Sequence, residues 1–83
     1  MFGVIFKPEA VRSLEKIPIQ WRQRLFKAID AIKIRPYIGK KLKGKFSGAF
    51  SLRVWPYRII YTIDKSKITV IILDIGHRQG VYN

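Results

Sequence analysis

Eight side chains have the types needed to act on a phosphodiester: Lys41, Lys43, Lys45, Arg53, Arg58, His77, Arg78 and Tyr82. Guanidinium and ammonium groups stabilise the negative charge that builds up as phosphorus becomes pentavalent, while a histidine or tyrosine can move protons. An RNA substrate brings its own nucleophile, the 2′-hydroxyl, so such a set calls for no metal and no cofactor. Other chemistries find less material. The single histidine has no carboxylates grouped around it, which leaves no metal-ligand cluster. The absence of cysteine removes disulfides, thiolate metal sites and a cysteine nucleophile together. Ser13, Ser47, Ser51 and Ser66 all lack the nucleophile-elbow setting that a triad with His77 would need. The stretch Gly39 to Phe46 lacks the closing Ser or Thr of a phosphate-binding Walker loop and leads into a strand.

The charge balance points the same way. Seventeen Lys and Arg against five Asp and Glu give a formal charge of +12 over 83 residues, so an anionic partner is drawn from a distance. Nucleic acid is the first candidate partner and an acidic protein a compatible further one. A membrane is disfavoured, because the basic residues are spread through the chain and no uncharged run reaches 18 residues. Hydrophobic residues at 48% supply enough material for a packed core despite the charge. The length suits one domain, residues 1–83, and the short apolar start MFGVIF lacks the features of a signal peptide, so a cytoplasmic protein is expected.

The elements that must position these side chains follow from periodicity and proline. Phe2 to Phe6 is a short apolar run that reads as a first strand covered on both faces. Pro8 and Glu9 suit a first helical turn, and the pattern Ala10, Val11, Leu14 carries that helix to Lys16 before Ile17-Pro18 stops it. Trp21, Leu25, Ala28, Ile29 and Ile32 form the apolar stripe of a second helix from Ile19 to Ile34, ended by Arg35-Pro36. So short a link implies a helical hairpin lying on a sheet. After a basic loop at 36–48, three strands are expected at 49–55, 57–64 and 67–76, turning at Trp55-Pro56 and Asp64 to Lys67. The fold class is therefore α+β: an N-terminal strand, two helices and a three-stranded antiparallel meander, with the helices on one face. Period two places Phe50, Leu52, Val54, Tyr57, Ile59, Tyr61 and Ile63 against the helices. Ser51, Arg53, Arg58, Ile60 and Thr62 are left on the opposite, open face, and the last strand, apolar on both sides, is expected to be central.

The segments LKGKFSGAFSLRVWPYRIIYTID and DIGHRQGVY resemble the RelE/ParE toxin superfamily, whose members carry a similar LKG, LRVGDYRIIY and GHRxxVY pattern after two N-terminal helices. The resemblance implies a curved, mainly antiparallel sheet under a helical hairpin, and the toxin of a type II toxin–antitoxin pair. It further implies a RelE-type endoribonuclease that cuts mRNA in the ribosomal A site, with mRNA on the ribosome and a small acidic antitoxin as partners. Arg53 and Arg58 match the arginines of the LR and YR motifs, Arg78 matches that of GHR, and Tyr82 the terminal tyrosine. Lys41, Lys43 and Lys45 fall in the basic loop, as RNA-binding residues. Ser51 stands where some RelE members have a second active-site lysine. ParE-type members share the fold but inhibit DNA gyrase, and a non-catalytic nucleic-acid-binding module is the other alternative.

Overall fold

A computed structural model of the chain describes residues 1–77. Its elements run β1 (Gly3–Phe6), α1 (Pro8–Lys16), α2 (Ile19–Ile34), β2 (Lys40–Lys41), β3 (Phe50–Val54), β4 (Tyr57–Asp64) and β5 (Thr69–His77). Short 3₁₀ turns at Pro36–Ile38 and Gly44–Phe46 flank β2. The strands form one five-stranded sheet in the order β1-β5-β4-β3-β2. β1 runs parallel to β5 and every other pairing is antiparallel.

Both helices occupy the expected residues, because proline sets their limits. Pro8 opens α1 where no N–H is lost, and Pro18 is the cap of α2. α1 lies against β5 and β1, and α2 against β3. Leu25, Ile29 and Ile32 of α2 join Ala10 and Ile17 in a core completed by Phe50, Ile59, Tyr61, Val70, Ile72 and Ile75 of the sheet. Leu52, Val54, Tyr57 and Ile63 pack around it, as their alternation required. Val11 departs from the expected α1 face: it is exposed, and Ile17 fills the core position at the helix end.

Four further readings are corrected. β1 is an edge strand with only one face covered: Phe2, Val4 and Phe6 meet the core while Ile5 is 54% exposed. The stretch 36–48 is more than a loop, since Lys40 and Lys41 pair with Ser51 and Phe50 to add the strand β2. β5 begins at Thr69, two residues after the expected start, behind a turn in which Ile68 has φ 49° and Asp64 accepts from the Ser66 hydroxyl. The face opposite the helices is closed over Ile60, which is 1% exposed, and over Ser51 at 8%. There the 3₁₀ turn at Gly44–Phe46 brings Phe46 to line one cleft with Ile60 and Leu73. β5 is internal as expected, but it carries a bulge. Ile60 is opposite Asp74 and Tyr61 opposite Ile72, so Leu73 is the extra residue.

Tyr61 ties the start of β2 to the core. Its fully buried side chain stacks on Phe50 at 5.5 Å, donates to the Pro36 carbonyl at 2.8 Å and accepts from the Gly39 N–H at 2.9 Å. Gly39 has an ordinary φ of −75°, so its role is steric: a Cβ there would lie 2.6 Å from the Tyr61 hydroxyl and 3.1 Å from the Ser51 carbonyl oxygen. Gly39→Ala should cost about 1–3 kcal/mol through this overlap. A thermal melt superimposing on the wild type would contradict it.

Burial raises the Tyr61 phenol above its ordinary value of 10.0, outweighing the Gly39 N–H that lowers it. Folding therefore favours the protonated phenol. The contribution is intact below pH 10 and is lost as the pH rises from there through the higher value of the folded protein, because the unfolded chain gives up its proton first. Tyr61→Phe should flatten this alkaline loss while costing about 1–3 kcal/mol at neutral pH from the two orphaned backbone groups. Urea melts across an alkaline pH series would show it, and an unchanged alkaline slope would exclude it.

Candidate nucleic-acid interface

Register places the cations. Arg53 and Arg58 are direct partners across β3 and β4, and Lys40 is the direct partner of Ser51 across β2 and β3. Residues facing one another in an antiparallel ladder share a face, with Cβ atoms about 4.5–5.5 Å apart. Lys40, Ser51, Arg53 and Arg58 therefore stand on the side of the sheet away from the helices. They line a shallow cleft of about 430 Å³, with Leu42 at its rim. Like charges placed directly opposite repel, and among the described residues no carboxylate pairs with either guanidinium. The repulsion is relieved when an anion enters between the two. Ser51, at 8% exposure, offers a hydroxyl at the cleft wall.

The structure separates the remaining sequence candidates. Lys41 is opposite Phe50 and so belongs to the other face of the sheet. Lys43 precedes the second 3₁₀ turn, and the Lys45 ammonium lies 5.4 Å from the Phe46 ring centre. Of the basic loop it is Lys40 that reaches the cleft, a residue the sequence reading passed over in favour of its neighbour. Its parity becomes visible only once β2 is paired with β3.

His77 does not share the arginine face. It is opposite Tyr57 and meets that ring edge-on at 5.9 Å, and Tyr57 in turn meets Trp21 of α2 at 6.3 Å. Gly76, not His77, is opposite Arg58. Arg24 completes this aromatic end of the molecule, lying 5.1 Å over the Trp21 ring with a 3.4 Å hydrogen bond to the Trp55 carbonyl. Arg78 and Tyr82 lie outside the described residues. Among the described residues no group of three or more His, Cys, Asp or Glu side chains could hold a metal ion, and no helix is long and apolar enough to cross a membrane.

The arrangement of two helices over a five-stranded sheet is shared with proteins of known structure. Residues 4–82 match the family described as the ParE toxin of type II toxin–antitoxin systems. The chain belongs to the RelE/ParE toxin superfamily. It is thus the toxin of a type II toxin–antitoxin system. Among curated relatives, Toxin RelG of Mycobacterium tuberculosis is 33% identical, over 98% of this chain and 95% of its own length. The RelBE2 toxin–antitoxin complex of Mycobacterium tuberculosis contains a chain that superposes with a TM-score of 0.86 at 34% identity, covering 93% of this chain and 98% of that one. The isolated RelE toxin of E. coli superposes with a TM-score of 0.82 at 21% identity, covering 93% and 84%, and shows the shared fold.

Proposed function

We propose that this toxin is a ribosome-dependent mRNA endoribonuclease whose scissile phosphate lies in the Lys40, Arg53 and Arg58 cleft. The observation that carries the reading is the pairing of Arg53 with Arg58 on an exposed rung with no carboxylate partner among the described residues. Fixed cations at a surface with a buried floor stabilise developing phosphate charge better than mobile ones in bulk water. The likeness to Toxin RelG and to a chain of the RelBE2 toxin–antitoxin complex supports a toxin as the setting for this chemistry.

In this scheme the 2′-oxygen of the substrate attacks the adjacent phosphorus and the bond to the 5′-oxygen breaks. The products are a 2′,3′-cyclic phosphate and a 5′-hydroxyl end. Arg53 and Arg58 hold the non-bridging oxygens, and Lys40 and Ser51 orient the strand. Two proton transfers remain, one off the 2′-hydroxyl and one onto the 5′-oxygen. We assign them to the segment beyond His77, with Arg78 stabilising charge and Tyr82 passing the proton taken from the 2′-hydroxyl to the leaving 5′-oxygen, since His77 itself faces Tyr57. The toxin would work in the cytoplasm on mRNA held by the ribosome. A small acidic antitoxin would neutralise its surplus of positive charge, and the solved RelBE2 and RelBE structures are complexes of a toxin with an antitoxin.

A gyrase-directed reading draws on the ParE description of the matched family. Pulse-labelling after induction decides between the two. Methionine incorporation should fall within minutes, ahead of thymidine incorporation, and plasmid supercoiling should be unchanged. Loss of supercoiling before any loss of protein synthesis would overturn the endoribonuclease assignment.

A further inference from the structure

The two outer strands of the sheet differ in charge. β2 closes one side with Lys40 and Lys41, and lysine on an outer strand is a common guard against further pairing. β1 closes the other with Gly3–Phe6, a strand in even register with β5, and no charged side chain occurs before Lys7. The N–H groups of Gly3 and Lys7 reach the Ile68 and Ile72 carbonyls, so alternation turns the N–H and C=O groups of Val4 and Phe6 outward. Met1, Ile5 and Ile68 stand exposed around this edge, and Phe2, Val4 and Phe6 stay only partly buried although they pack on the core. Gly3 is a second, independent observation. Glycine inside a strand weakens it and often marks a place where another chain comes close. Nothing within this chain requires it: its φ is not positive, and a Cβ would meet only Thr69 Oγ1 at 3.8 Å and the Ile68 carbonyl oxygen at 3.9 Å, both ordinary contacts.

We infer that β1 pairs antiparallel with β1 of a second copy of this chain about a two-fold axis at Val4, joining two five-stranded sheets into one. The stretch Phe2-Gly3-Val4-Ile5-Phe6 complements itself in this register. Val4 exchanges both backbone bonds with its counterpart, and each Phe6 N–H donates to the Phe2 carbonyl of the other copy. Phe2 meets Phe6 on the helix side, so the two cores become continuous. On the open side Gly3 meets Ile5 as a non-hydrogen-bonded pair, the closer kind, with Cα atoms about 4.5 Å apart. The Ile5 side chain then lies over the bare backbone of Gly3. Such a contact uses the same patch on both copies and closes at two. A formal charge of +12 opposes self-association everywhere, and least where the charged side chains are missing. An acidic peptide finds no cation on this edge and is better served by β2. The cation cleft is lined by residues around β2, β3 and β4, so both copies keep it open. One short strand from each copy makes a small interface, and a reversible dimer half-formed at about 10⁻⁵ to 10⁻⁴ M is expected.

Sedimentation equilibrium of the whole protein over a concentration series, repeated at several salt concentrations, is the test. Association should strengthen with salt, because screening relieves the repulsion between two cationic copies and between the Met1 amine and Lys7 that this register brings together. Ile5→Lys should weaken it about tenfold or more by setting like charges at the axis, and should melt like the wild type when dilute, since Ile5 is half-exposed in the single chain. The natural chain has no cysteine, which allows the register itself to be read. An oxidised equimolar mixture of Gly3→Cys and Ile5→Cys should give a disulfide-linked dimer. Either variant alone should not, because identical positions lie diagonally, about 7–8 Å apart, too far to bridge. A wild type that stays monomeric up to about 10⁻³ M would overturn the inference. So would association that weakens with salt, as one bridged by a polyanion does, an Ile5→Lys variant that associates like the wild type, or single variants that cross-link as readily as the mixture.

Discussion

Arg58→Ala should abolish growth arrest and slow mRNA cutting on programmed ribosomes by about 10²-fold or more, the loss typical of removing one preorganised charge stabiliser. The fold should survive. Arg58 is only half-buried on the face away from the core, and its direct partner is another arginine. Removing one member of a like-charged pair relieves repulsion and leaves no buried charge unpaired. The melting temperature of Arg58→Ala should therefore match or slightly exceed that of the wild type. Inactivity accompanied by a large fall in melting temperature would mean that the arginine acts through the fold and not on the substrate.

Tyr61→Ala is expected to give the largest loss of stability, about 3–5 kcal/mol, a substantial share of what a domain of this size holds in reserve. The substitution leaves a cavity beside Phe50 and orphans the Pro36 carbonyl and the Gly39 N–H. Because Gly39 leads directly into β2, the damage should spread to the placement of Lys40, so the variant should lose RNA affinity although Tyr61 itself is remote from solvent. Urea unfolding measures the first effect and RNA titration under native conditions the second. A variant as stable as the wild type would show that the tyrosine is not the anchor described above.

The helices and the helix-facing side of the sheet were legible in the sequence because they depend on local signals. Pro8, Pro18 and Pro36 mark helix limits, and the alternation from Phe50 to Ile63 assigns faces without knowledge of any partner strand. What stayed hidden depends on pairing between distant segments. β2 is two residues long and exists only through its bonds to β3, so nothing local distinguishes Lys40 from Lys41. The placement of His77 fails for a related reason. Counting by twos from Val70 and Ile72, both core residues, puts His77 on the open face, but the extra residue Leu73 reverses the parity of everything after it. Ile75 and His77 thereby turn to the helices and Gly76 to Arg58. The burial of Ile60 is also non-local, since the 3₁₀ turn bearing Phe46 crosses the sheet from another part of the chain.

In the proposed function the paired arginines act on RNA presented by the ribosome. Primer extension on one defined mRNA, incubated with purified protein in the presence and absence of programmed ribosomes, tests it most directly. Discrete cuts within the A-site codon are expected only when ribosomes are present, each leaving a 5′-hydroxyl end and each lost in Arg58→Ala. Folded wild-type protein that leaves the mRNA whole on programmed ribosomes, or cuts by Arg58→Ala at the wild-type rate, would contradict it.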